Sequence, residues 1–104
     1  MDEIKKFFKN DKYASLSGIE LLEVSPRKAK VRMRIKDCHL NGIRTVHGGA
    51  IFTLADFAFA VASNSHGTVT TAINAHISYI KAGTTGTLTA EAEEVTSNPK
   101  LSVY

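Results

Sequence analysis

The stretch from Asn41 to Gly67, NGIRTVHGGAIFTLADFAFAVASNSHG, limits what this chain can fold into more than any other. A polar loop runs into His47-Gly48-Gly49. An almost wholly apolar run follows from Ala50 to Ala62, with Asp56 as its only ionisable side chain. Ile51, Leu54, Ala55, Ala58 and Ala62 recur at helical spacing, and Phe52 and Phe59 add a second apolar line. A helix that is apolar nearly all round belongs inside a protein. This one is too short for a membrane span, which needs roughly 20 apolar residues. The expectation is a buried central helix over residues 49–64, with two glycines at its start and one buried carboxylate in its middle.

Each of these features has a chemical reading. The N–H groups of a helix's first turn have no partner within the helix and sit at the positive end of its dipole. Glycines there let a ligand approach the backbone closely. Such a place suits an anion, or a carbonyl oxygen that becomes one during reaction. Asp56 is the group that attacks, or that activates a water, because a buried carboxylate is costly unless paired or used. The bland alternative makes Gly48-Gly49 a tight turn and Asp56 a structural hydrogen-bonding residue. Spacing constrains the mechanism further. Asp56 lies about 10 Å along the helix from Gly49 at ~1.5 Å per residue, too far to meet a carbonyl held by its own helix's first amides. If both groups act on one bond, the carboxylate comes from a second copy, as in a two-fold dimer with antiparallel helices.

The pattern Asn41-x-x-x-x-x-His47-Gly48-Gly49-x-Ile51-x-x-Leu54-Ala55-Asp56 resembles the hotdog-fold acyl-CoA thioesterases, most closely the phenylacetate-pathway (PaaI-type) branch. Ala58-Phe59-Ala60, Asn64-Ser65-x-Gly67 and Tyr79-Ile80-Lys81-Ala82-Gly83 are similar to that branch too, with Ala82 where the family usually has proline. The resemblance implies an α+β hotdog fold, an antiparallel sheet wrapped around a central helix. It implies hydrolysis of an acyl-CoA thioester, with aromatic acyl groups such as phenylacetyl-CoA among the candidates. In that reading the Gly48 N–H polarises the carbonyl, and the partner's Asp56 acts as nucleophile or general base. Asn41, His47 and Gly49 shape the site, and Lys81 is a candidate for the coenzyme A phosphates. No metal or redox cofactor is implied, and coenzyme A enters only as part of the substrate. The expected assembly is a homodimer or a dimer of dimers. Two rival readings are a hotdog dehydratase or hydratase, whose usual motifs are not found around His47, and a non-catalytic acyl-CoA-binding module that would not need Asp56.

The rest of the chain fits one small domain of 104 residues. A chain this short buries a limited core, so oligomerisation would help to stabilise it. The formal net charge of +3 is only mildly basic and demands no polyanionic partner. Met1-Asp2-Glu3 lacks the basic start of a secretory leader, and the lone Cys38 allows no internal disulfide; both suit a cytoplasmic protein. Asp2 to Ala14 reads as one amphipathic helix capped by Asp2. Ile19 to Val24 reads as a strand and Ser25-Pro26-Arg27 as a turn. From Lys28 to Lys36 apolar residues alternate with Lys and Arg, giving a strand with one dry face. Without interleaved aromatics the basic row is weak as a nucleic-acid surface. His39, His66 and His76 show no metal-ligand spacing with His47 or one another. Val69 to Lys81 reads as a long strand, residues 83–86 as a hairpin turn, and residues 87–93 as the next strand. A further strand begins at Leu101, and a complete hotdog domain continues beyond that point, so the chain is expected to be C-terminally incomplete.

Overall fold

The computed structural model describes all of residues 1–104. In order the chain forms α1 (Asp2–Phe8), α2 (Lys12–Leu16), β1 (Ile19–Ser25), β2 (Lys28–Arg34), a 3-10 turn (Asp37–His39), α3 (Gly48–Asn64), β3 (Thr87–Glu93) and a small hairpin of β4 (Thr96–Ser97) and β5 (Ser102–Val103). Strands β1, β2 and β3 make one antiparallel sheet with β2 in the centre, and α3 packs across it.

The alternation in β2 decides which face is dry. Ala29, Val31 and Met33 are buried under α3, and Val31 pairs with Leu21 on one side and Ala90 on the other. Val31, Met33 and Val61 are fully enclosed, each worth about 1.5–3 kcal/mol of apolar burial. The lysines and arginines of β2 lie on the opposite face. There Arg32 pairs with Glu20 at 3.1 Å and Lys30 with Glu91 at 3.6 Å. Acids from both neighbouring strands therefore break up the basic row. The β1–β2 turn places Arg27 at φ 66° after Pro26, the left-handed second position of a proline-led turn. Ser65 Oγ, at the end of α3, accepts the Arg27 N–H at 2.7 Å and so ties the helix exit to this turn.

Several expectations change. The amino-terminal segment is two helices, because the Asp11 carboxylate accepts the Ala14 N–H at 3.0 Å and starts α2 afresh. Met1, not Asp2, is the cap of α1 and makes no side-chain cap bond. Helix α3 is not buried all round. Leu54, Phe57, Ala58, Val61 and Ala62 face the sheet, whereas Phe52, Ala55 and Asp56 are exposed. Alanine and phenylalanine off the buried stripe made the helix look uniformly internal.

A further change concerns Val69 to Lys81, which is no strand within the chain. From Thr71 to Ala82 no backbone N–H or C=O is hydrogen-bonded within the chain. Val69, Ile73, Tyr79 and Ile80 are exposed. A strand needs a neighbouring backbone to pair with, and β3 pairs only with β2. Residues 83–86 consequently close no hairpin. The Gly83 carbonyl instead accepts the Val46 N–H, and the Gly86 carbonyl accepts the Ile35 N–H, both at 2.8 Å. No helix is long and apolar enough to cross a membrane.

Candidate active site

The loop before α3 is shaped by Asn41. Its Oδ1 accepts the N–H groups of Ile43 and Thr45 at 3.1 and 3.0 Å, and its Nδ2 donates to Thr45 Oγ1 at 2.8 Å. The loop closes on itself through the Leu40–Val46 bridge, with Arg44 held at φ 64°. Beneath it, buried His39 accepts the Lys36 N–H on Nδ1 at 2.9 Å and, as the Nε2–H tautomer that this requires, donates to the Ser17 carbonyl at 2.7 Å. His39 thereby fastens the loop to the α2–β1 junction. Spacing did not single it out.

His47 is the N-cap of α3, and its Nδ1 accepts the Gly49 N–H at 2.8 Å. A Cβ on Gly49 would lie 3.0 Å from that nitrogen, so glycine is what allows the imidazole to fold back over the helix start. The N–H groups of Ala50 and Ile51 bond to the His47 carbonyl. The Gly48 N–H has no acceptor within the chain. Three of the first four helix donors are thus engaged, and one is open at the positive end of the dipole.

Tyr79 covers this place from the extended segment. Its hydroxyl donates to the Gly48 carbonyl at 3.1 Å, and a Cβ on Gly48 would meet the ring at 3.2 Å. The strand reading of Val69 to Lys81 assigned Tyr79 no part in the site. Lys81 follows two residues later, exposed and in no ion pair. Asp56 lies about two turns further along α3, with no salt bridge and no side-chain hydrogen bond. Partial desolvation and, second, the charge of Asp11 raise its pKa above the ordinary carboxylate range. The chain therefore gathers Asn41, His47, Gly48 and Gly49 at one helix start and holds Asp56 apart on an open face. No three His, Cys, Asp or Glu side chains converge as a metal site would need.

The family model described as the thioesterase superfamily matches residues 44–104. A protein of Archaeoglobus fulgidus is 45% identical over 106 residues, taking in 100% of this chain and 69% of that protein. The acyl-coenzyme A thioesterase PaaI of Escherichia coli is 37% identical over 98 residues, which are 93% of this chain and 70% of the relative. Among solved structures, the Escherichia coli PaaI protein from the phenylacetic acid degradation operon superposes with a TM-score of 0.86 at 36% identity, over 90% of this chain and 69% of the other. A thioesterase protein with coenzyme A from Streptococcus pneumoniae superposes with a TM-score of 0.81 at 26% identity, over 90% and 74%. The antiparallel sheet with its single long helix is the α+β hotdog fold. The chain belongs to the thioesterase superfamily, on its PaaI-type branch.

Proposed function

We propose that this protein is an acyl-CoA thioesterase whose site is completed by a second copy of the chain. The observation that carries this reading is the open Gly48 N–H at the start of α3, beside a Gly49 N–H that His47 has already taken. A thioester carbonyl hydrogen-bonded there gains support as negative charge develops on its oxygen. Asp56 supplies the attack, either directly on the carbonyl carbon to give an acyl-enzyme anhydride and free thiolate, or by taking a proton from water. The likeness to an acyl-coenzyme A thioesterase and to a structure with coenzyme A supports acyl-CoA as the substrate. An aromatic acyl group such as phenylacetyl is the first to try. Lys81, exposed just beyond Tyr79, is the candidate contact for the coenzyme A phosphates.

The need for a second copy rests on distance. Asp56 is about 10 Å along α3 from Gly49, and its side of the helix is open in the single chain. The unpaired segment from Thr71 to Ala82, with Ile73 and Ile80 exposed, is a ready edge for another backbone. A cytoplasmic homodimer, or a dimer of dimers, satisfies both. Thiol release from a panel of aliphatic and aromatic acyl-CoAs tests the reading. Release from at least one is expected; binding without release across the panel would point instead to a non-catalytic acyl-CoA-binding protein.

A further inference from the structure

The Gly48–Gly49 peptide unit is held at both ends by side chains. Its N–H, that of Gly49, donates to His47 Nδ1 at 2.8 Å. Its carbonyl, that of Gly48, accepts the Tyr79 hydroxyl at 3.1 Å. The Tyr79 ring also fills the place of a side chain on Gly48, where a Cβ would lie 3.2 Å from Cζ and 3.3 Å from the hydroxyl oxygen. The φ of Gly48 is not positive, so backbone conformation does not demand glycine there; room for the ring does. A peptide between two glycines is the least restrained by its own chain, and this one takes its restraint from His47 and Tyr79.

Tyr79 reaches the helix start from a segment with no other hydrogen-bonded hold on the chain. From Thr71 to Ala82 its hydroxyl makes the only hydrogen bond, backbone or side chain. Before this stretch the Thr70 N–H donates to Asn64 Oδ1 at 2.9 Å and the Thr70 hydroxyl to the Ser63 carbonyl at 3.0 Å. After it the Gly83 carbonyl accepts the Val46 N–H at 2.8 Å. One anchor is the exit of α3 and the other is the loop that enters it, so the segment returns Tyr79 to the helix start. The open Gly48 N–H belongs to the peptide immediately before the one that Tyr79 holds. That peptide's carbonyl, on His47, already accepts the Ala50 and Ile51 N–H groups. The Gly48–Gly49 peptide is thus the adjustable joint of the helix start.

We propose that Tyr79 is a positioning residue for the Gly48 amide: with His47 it clamps the Gly48–Gly49 peptide and so aims the neighbouring open N–H. His47 takes the N–H end and Tyr79 the carbonyl end, so each bond polarises the peptide in the sense that strengthens the other. Aim matters because a hydrogen bond weakens steeply as its angle departs from linear. A preorganised donor is worth most where charge develops during reaction. Tyr79 acts through Gly48, not on the thioester itself. The effect on turnover rests on the thioesterase reading above; the clamp on the peptide does not.

Tyr79→Phe tests this, because it keeps the ring beside Gly48 and removes only the hydroxyl. Tyr79 is exposed, so water replaces the phenol on the Gly48 carbonyl and the melting temperature should change little. Exchange of amide protons with water, followed by NMR on the full chain, reads the clamp without substrate. The Gly49 N–H is expected to exchange about 2–10-fold faster in Tyr79→Phe, the range that the net worth of one hydrogen bond covers. Amides from Leu54 to Ala62 should keep their wild-type rates. With the acyl-CoA that the protein hydrolyses, kcat should fall by a similar factor and KM change little, as for an interaction made only in the transition state. An unchanged Gly49 rate in Tyr79→Phe overturns the clamp. A faster Gly49 rate with kcat unaltered in an active enzyme overturns the positioning role. A faster rate in a protein inert toward every acyl-CoA upholds the clamp and removes the thioesterase reading instead.

Discussion

His47 Nδ1 accepts the N–H of Gly49 at 2.8 Å and so selects, among the first amides of α3, the Gly48 N–H as the one left open. The imidazole is spent on this bond as a neutral acceptor. It therefore defines the helix start, and the proposed mechanism leaves the attack to Asp56 elsewhere on α3.

Asp56→Asn should lower kcat by about 10²–10⁴-fold, the usual worth of a general acid or base. Asparagine keeps the size and some hydrogen bonding, so acyl-CoA affinity should stay within about tenfold, or ~1.4 kcal/mol. Stopped-assay kinetics with binding measured by calorimetry check both parts. Near-normal turnover would place the chemistry on another residue.

The raised pKa of Asp56 sets a pH dependence of definite sign. The proposed mechanism needs the ionised form, so kcat/KM should rise with pH through a midpoint above that of an ordinary aspartate. Stability runs the other way. A carboxyl whose folded-state pKa exceeds its unfolded value makes the native state bind more protons, so stability falls as pH rises between the two values. Asp56→Asn should accordingly melt at a higher temperature than wild type at neutral pH, with the advantage fading below the ordinary carboxylate range. Calorimetric scans over pH show whether the two curves converge on the acid side.

Removing the buried imidazole of His39 strips the Lys36 N–H and the Ser17 carbonyl of their partners. His39→Ala should cost about 2 kcal/mol or more of stability, since each orphaned group carries a desolvation penalty of roughly 1–3 kcal/mol. The urea midpoint reads this directly. An unchanged midpoint would mean that the loop before α3 is not fastened through His39.

Ser78→Pro probes the unpaired segment. The Ser78 N–H has no partner within the chain, so proline there should barely disturb a single copy. If the segment pairs with another chain, the lost donor and the proline ring block that ladder. Light scattering should then find a smaller assembly with the far-ultraviolet spectrum of the folded chain retained. An unaltered mass would remove this segment from the interface.

Much of the architecture was legible because period decides burial. The strict alternation of Ala29, Val31 and Met33 with basic residues placed the dry face of β2, and Leu88, Ala90 and Ala92 did the same for β3. The HGG start of α3 was legible because few residue types leave a helix N-terminus approachable. The exposed side of α3 was not. Phe52 and Ala55 are apolar by composition, and whether an apolar residue is covered depends on what else is present. The segment from Val69 to Lys81 has strand composition, yet strand formation is a property of two backbones and cannot be read from one. Asp11 shows the local case. Its carboxylate caps Ala14 and restarts the helix, whereas the reading of Asp2 to Ala14 as one amphipathic helix gave it no such role.

The meeting of Gly48 from one copy with Asp56 from another is tested most directly by mixing two inactive proteins. One carries Asp56→Asn. The other carries Gly48→Val, whose new side chain crowds the helix start and meets the Tyr79 ring, a side chain on an unpaired segment that can yield. Each homodimer lacks one part of every site. In a heterodimer isolated with two different tags, one site inherits both defects and the other inherits neither, provided that the groups come from opposite chains. After both variants are shown to fold, heterodimer turnover of about half the wild-type value per dimer is expected. Heterodimers as inactive as their parents would mean that Gly48 and Asp56 do not meet across a subunit boundary.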